Sequence, residues 1–179
     1  MQRLNIIILV IIFFTSCQSG ETKQKVTIEN KYSISIPSFL TKVSNLNDDA
    51  SLQYQHAWNE FYVIVIDESK EEMQKVLSEN NLIGTYPNDI NGYSSLLLNG
   101  FEEDIIVTKK SKVINSLVNK MPARILTISA KVEGIDAFYT LAFIEGKNRY
   151  YQIMIWTLAK KESEYKEKMN QILYSLKEL

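Results

Sequence analysis

One cysteine and one histidine stand among 179 residues, with three prolines and six glycines. Each scarcity excludes a class of protein. The lone thiol, Cys17, has no second cysteine for an intramolecular disulfide and no cluster with which to hold zinc. The lone imidazole, His56, has no partner histidine for a metal site or a Ser-His-Asp arrangement, so it reads as a structural side chain between Tyr54 and Trp58. The glycines fall singly, which leaves neither a phosphate-cradling loop nor a G-x-S-x-G nucleophile elbow. Charge is nearly balanced, 20 basic against 21 acidic residues, and no basic stripe marks a nucleic-acid partner. Fixed-period repeats and low-complexity blocks are missing too. The amino-terminal apolar run, Leu4 to Phe14, covers 11 residues and is interrupted by Asn5, against the roughly 20 that a spanning helix needs.

What is there begins with that run. Behind a short positive start at Met1 and Arg3, it has the size of a signal-peptide core. Phe14-Thr15-Ser16-Cys17 resembles the lipobox of bacterial lipoproteins, with Phe14 where Leu is commonest. The resemblance implies diacylglyceryl transfer to the Cys17 thiol, cleavage before Cys17 and acylation of the new amino terminus. Two or more acyl chains hold a protein firmly to a membrane, where one holds it marginally. The competing reading of Cys17 is an ordinary buried thiol. Gln18 stands where an aspartate favours inner-membrane retention in enteric bacteria, which points to the outer membrane. The periplasmic and surface faces both stay open.

The chain then divides into a signal peptide over 1–16, a lipidated cysteine with a polar tether over 17–25, and one domain over 26–179. The tether from Gln18 to Lys25 has no apolar residue, and its eight residues reach at most about 29 Å. From Cys17 onward 163 residues remain, a size that supports one core.

Strands come first in that domain. Tyr32, Ile34 and Ile36 alternate with serines until Pro37, and Leu52, Tyr54, His56 and Trp58 alternate with small or polar residues. Asn59-Glu60 then turns into the β-branched and aromatic run Phe61 to Ile66, which makes a hairpin. Ser69 with Glu72 matches a capping box ahead of Met73, Val76 and Leu77 at helical spacing. A second helix is expected from about Asp89 to Asp104, weakened by Gly92 and Gly100. Strands return at 105–107, 113–117, 124–132, 135–144 and 149–157, with turn chemistry at Glu133-Gly134 and Gly146-Lys147. Tyr165, Met169, Ile172, Leu173 and Leu176 form the apolar stripe of a terminal helix. Strands, helices, strands, helix in that order predict an α+β fold: a mostly antiparallel sheet with two central helices and a C-terminal helix packed on it.

Lys31-Tyr32-Ser33-Ile34-Ser35-Ile36-Pro37, the two central helices, the hairpins around Gly134 and Gly146, and Ile172-Leu173-Tyr174-Ser175-Leu176 together resemble the Mog1/PsbP-like fold. The resemblance covers most of residues 26–179. It implies scaffolding or binding roles with no shared catalytic site, and no family residue maps onto this chain.

The remaining candidates for chemistry are few. Asp48-Asp49, Glu71-Glu72 and Glu102-Glu103-Asp104 offer paired carboxylates, each in a loop or at a helix edge where solvated charge is the commoner reason. Asp48-Asp49 lacks EF-hand spacing for calcium. Lys109, Lys110 and Lys112 form the one basic knot, readable as a membrane contact or a solvated strand. Tyr139, Tyr150 and Tyr151, near Phe138, Phe143 and Trp156, read either as a binding surface or as filling of the sheet core. The expected function is a lipid-anchored envelope protein acting as a non-enzymatic binding, chaperone or assembly module. Its partners would be the membrane, through Cys17, and another envelope protein, with no cofactor and no metal. The alternatives are a carrier or sensor of a small apolar ligand or lipid, and a hydrolase assembled from scattered carboxylates.

Overall fold

The computed structural model describes residues 22–179. Along the chain run β1 (Lys23–Ile28), β2 (Tyr32–Pro37), β3 (Thr41–Lys42), β4 (Ala50–His56), β5 (Phe61–Ser69), α1 (Lys70–Glu79), α2 (Ile90–Glu103), β6 (Ile106–Lys110), β7 (Ile114–Val118), β8 (Met121–Val132), β9 (Ile135–Glu145), β10 (Arg149–Leu158), α3 (Glu162–Leu173) and β11 (Lys177–Glu178). Short 3-10 turns at Ala57–Asn59 and Ala159–Lys161 follow β4 and β10. The large sheet has the order β3-β4-β5-β10-β9-β8-β6, with β7 also paired to β8, and every pairing in it is antiparallel. A second sheet, β1-β2-β11, is antiparallel as well. The α+β class and the helix positions agree with the sequence pattern.

Period-two alternation divides the core between the two faces of the large sheet. On one face Phe61, Val63 and Val65 of β5 and Tyr151, Ile153 and Ile155 of β10 meet Tyr32, Ile34 and Ile36 of β2 and Tyr165, Met169, Ile172 and Leu173 of α3. On the other, Leu126, Ile128, Tyr139, Leu141, Phe143 and Tyr150 meet Met73 and Leu77 of α1 and Tyr93 and Leu98 of α2. Burial on both sides explains why β9 and β10 read as nearly unbroken apolar runs.

Local chemistry sets the element ends. Ser69 Oγ accepts from the Glu72 N–H while Glu72 accepts from the Ser69 N–H, a complete capping box at α1. Asp89 caps α2 by accepting from the Asn91 and Gly92 N–H groups. Glu133 and Gly134 both take positive φ, 50° and 86°, which is what a two-residue turn between twisted strands demands.

Several boundaries differ from the sequence reading: α3 ends at Leu173, so Leu176 is buried beyond the helix, β6 runs to Lys110 and β8 starts at Met121; two further differences lie nearer the site. The tether was expected to run to Lys25, yet β1 starts at Lys23 and pairs with β2 from Lys23↔Pro37 onward. Its outward Lys23, Lys25 and Thr27 hide an edge strand whose Gln24 side chain donates to the Pro37 and Leu40 carbonyls. The second difference is at Trp58, expected to continue the inward set of β4. The strand stops at His56, and Trp58 lies in the following turn, 90% exposed.

Candidate binding surface

An aromatic row crosses three neighbouring strands on the face of the large sheet that α1 and α2 partly cover. Trp156 of β10 is the direct cross-strand partner of Tyr62 on β5 and of Tyr139 on β9. Its ring stacks on Tyr62 with centroids 5.0 Å apart and 10° between planes, and lies 6.2 Å from Tyr139. Phe101 of α2 closes the row edge-on to Tyr139 at 5.2 Å. Such cross-strand pairs each contribute about 0.2–1 kcal/mol, and rings held on neighbouring strands have little freedom left to lose on binding. Beyond Phe101 the helices no longer cover the row, and a groove of about 190 Å³ opens beside Tyr62, Tyr139 and Trp156, walled by Val132, Ile135 and Leu158. The Tyr62 hydroxyl donates to Glu60 at 2.7 Å. Burial first, then this bond and the Glu60 charge, push Tyr62 up to about 12, so it is a neutral donor at any physiological pH.

Most of the other aromatics singled out in the sequence fill the core. Phe138, Tyr139, Phe143, Tyr150 and Tyr151 are buried, and only Trp156 of that set is partly open. His56 is a turn cap: its Nδ1 accepts from the Asn59 N–H at 3.1 Å. The carboxylate runs are not brought together. Asp48, Asp49, Glu71 and Glu103 are exposed, Glu72 caps α1, and Glu102 pairs with Lys110. Lys109 and Lys110 project from the edge strand β6, with Lys112 just past its end. Among the described residues no three His, Cys, Asp or Glu side chains are grouped so as to hold a metal ion. No described helix is long and apolar enough to cross a membrane. Cys17 lies outside the described residues.

Sequence reasoning missed a polar centre at the opposite end of the strands. The Asp67 side chain, 1% exposed, takes Lys31 Nζ at 2.9 Å and Arg149 Nη2 at 2.7 Å. Burial by itself would raise this carboxyl. The nearby Ser51 hydroxyl, the hydrogen bond from Lys31 and the two cationic charges outweigh it and hold Asp67 below the usual carboxylate range. The next residue, Glu68, points to the other face beside the buried Tyr93 hydroxyl. Its carboxyl is raised, chiefly by burial and then by repulsion from Glu72, Asp49 and Asp67, against a lowering by Tyr93. The two groups nonetheless fall short of good hydrogen-bond geometry. Nothing in the spacing of Lys31, Asp67 and Arg149 signals a triad that only the sheet topology assembles.

No family model matches the chain, and the search of curated proteins gave no match. Its fold is shared with solved structures. Cyanobacterial PsbP (CyanoP) from Synechocystis sp. PCC 6803 superposes with a TM-score of 0.57 at 8% identity, covering 93% of this chain and 99% of that one. LpqN, involved in cell envelope biogenesis of Mycobacterium tuberculosis, gives 0.55 at 9% identity over 88% of this chain and 90% of its own. A Pseudomonas aeruginosa protein of unknown function gives 0.50 at 13% identity over 86% and 94%. The architecture is therefore PsbP-like. At such identities the likeness carries the fold and leaves function to the site.

Proposed function

We propose that this chain is a lipid-anchored bacterial envelope protein, held through Cys17 in the outer rather than the inner membrane, whose domain is a non-enzymatic binding module for another envelope protein. The observation that carries the binding role is the row Tyr62, Trp156 and Tyr139, pre-set by strand pairing beside an open groove. Tyr62 and Trp156, partly open and held rigid on the buried Tyr139, are aromatics of the kind that anchor protein interfaces. A groove of about 190 Å³ suits a single apolar side chain and falls short of the roughly 300–1,000 Å³ of ligand sites, while a roomier hollow of about 710 Å³ is lined by charged and polar side chains such as Lys70, Glu71, Gln74 and Lys75, which disfavours a lipid or apolar-ligand carrier. The carboxylate runs of the sequence are dispersed as caps, ion pairs or solvated charge, and the buried Asp67 is neutralised by Lys31 and Arg149, which disfavours a hydrolase. For the envelope address the support is Phe14-Thr15-Ser16-Cys17 together with a fold shared by an envelope-biogenesis protein.

Two measurements test the proposal. A photo-crosslinking residue in place of Ile135, 57% exposed at the groove rim, should capture one envelope protein in cells, and Trp156→Ala should reduce that adduct about tenfold, the loss of an anchor worth ~1.4 kcal/mol. Adducts no stronger than those formed from Ile83, an exposed residue outside the groove lining, would reject the interface. Intact mass and fractionation of Cys17→Ser beside wild type should show loss of the acyl mass and of membrane retention. A mutant that stays bound at the mass of wild type would reject the anchor.

A further inference from the structure

A tryptophan is rarely left in water without a reason, and Trp58 is not loosely held there. Its turn is braced by the Asn59 N–H to His56 Nδ1, by the Glu60 N–H to the Ala57 carbonyl at 3.1 Å, and by Lys161 Nζ to the Asn59 carbonyl at 3.0 Å. Glu60 takes a left-handed φ of 50° to close it. The indole is thus presented at a fixed place on the sheet end.

That place lies at the same end of the domain as Thr22, which leads into β1. The Thr22 carbonyl accepts from the Ser38 N–H at 2.9 Å, and the adjoining Phe39 ring lies 5.4 Å from His56 and 6.2 Å from Phe61, the two residues that flank the Trp58 turn. From Cys17 to Thr22 is five residue steps, at most about 18 Å of extended chain. The 11 residues of β9 set the far end of the sheet about 37 Å away at ~3.4 Å per residue. An acylated Cys17 therefore brings the Trp58 end to the bilayer and leaves the Asp67 end distant. Around Trp58 the same end carries exposed Lys160 and partly exposed Lys161, the latter already bonded to the Asn59 carbonyl. Indole and ammonium groups match the headgroup region of an anionic bilayer, where tryptophan collects and lysine meets phosphate.

We infer that the turn carrying Trp58 docks on the surface of the membrane that holds Cys17, so that the domain stands on its bilayer in one orientation. The inference rests on the lipid anchor proposed above. Full-length acylated chain carrying Trp156→Phe keeps Trp58 as its single tryptophan, because the protein has two. It is reconstituted in vesicles of phosphatidylethanolamine and phosphatidylglycerol, with and without brominated acyl chains. The expected result is an acyl mass and a blue-shifted Trp58 emission that loses about half its intensity to the brominated lipid. Acylated, vesicle-bound protein whose Trp58 emission is unchanged by bromine would overturn docking while the anchor stands. A chain without acyl mass would overturn both. A second measurement leaves Trp156 in place: a photo-crosslinker substituted for Trp58 should yield lipid adducts by mass, and adducts to protein alone would show that another polypeptide covers this turn, overturning the bilayer reading.

Discussion

Asp67 carries the heaviest electrostatic duty of any single residue described. It joins Lys31, just before β2, to Arg149 at the start of β10, and so ties the small sheet to the large one. Replacing it by Asn leaves two cations facing a neutral amide. Both are partly exposed and can recover water, so the expected loss is about 1–3 kcal/mol at pH 7, below the cost of a fully buried orphan charge. Because the folded-state carboxyl titrates below its unfolded value near 3.9, the unfolded chain takes up the proton first as pH falls. The stabilisation is complete above that unfolded value and is lost as pH descends through the lower folded one. Urea unfolding of wild type and Asp67→Asn should therefore differ at pH 7 and converge in strong acid; an equal gap at both would refute the assignment. The same scale shows why Trp58 was read as a strand residue. It keeps the parity of Tyr54 and His56, and the turn that ends β4 has no glycine, proline or Asn-Gly to announce it. The signal is in His56, whose imidazole caps the turn, and a capping histidine has no sequence signature of its own.

At the scale of elements, α2 holds two glycines with opposite meanings. A Cβ on Gly92 would lie 1.7 Å from the Pro87 carbonyl oxygen, so the first turn of the helix requires the missing side chain. At Gly100 an added Cβ meets nothing within 4 Å. Gly100→Ala should stabilise the protein by about 0.5–1 kcal/mol through helix propensity, and Gly92→Ala should destabilise it by roughly 1–3 kcal/mol because backbone must move. Thermal melts of the two variants check the pair, and a like-signed shift would be inconsistent with this packing. Both glycines weaken the helix equally in sequence; only the approach of Pro87 separates them. Ser69→Ala should cost about 1 kcal/mol by removing one arm of the capping box, read from the same melts. That box was legible from Ser69 and Glu72 alone because its bonds are local. β1 was not, since Lys23, Gln24 and Lys25 look like tether until Pro37 and Leu40 supply acceptors. The aromatic row was half legible: the residues stand out, while Tyr62 joins them only through the register of β5 on β10.

At the scale of the whole molecule, one large sheet serves two cores, so neither can melt while the other stays packed. Far-UV circular dichroism, which follows the sheet, and the emission of Trp156 in a Trp58→Phe background, which follows the face covered by α1 and α2, should give coincident urea transitions; separated midpoints would show that the faces unfold independently. The small sheet adds a constraint of time. Its third strand, β11, reaches β2 from the far end of the sequence, and Ser175 bonds Ser35 across 140 residues. Glu178 then takes the Lys147 N–H and the Tyr151 hydroxyl, locking the β9–β10 turn behind it. A chain still being made or threaded through a pore lacks these last residues and cannot finish its second layer. Completion of this fold is therefore deferred until the residues that follow α3 are available to pair with β2.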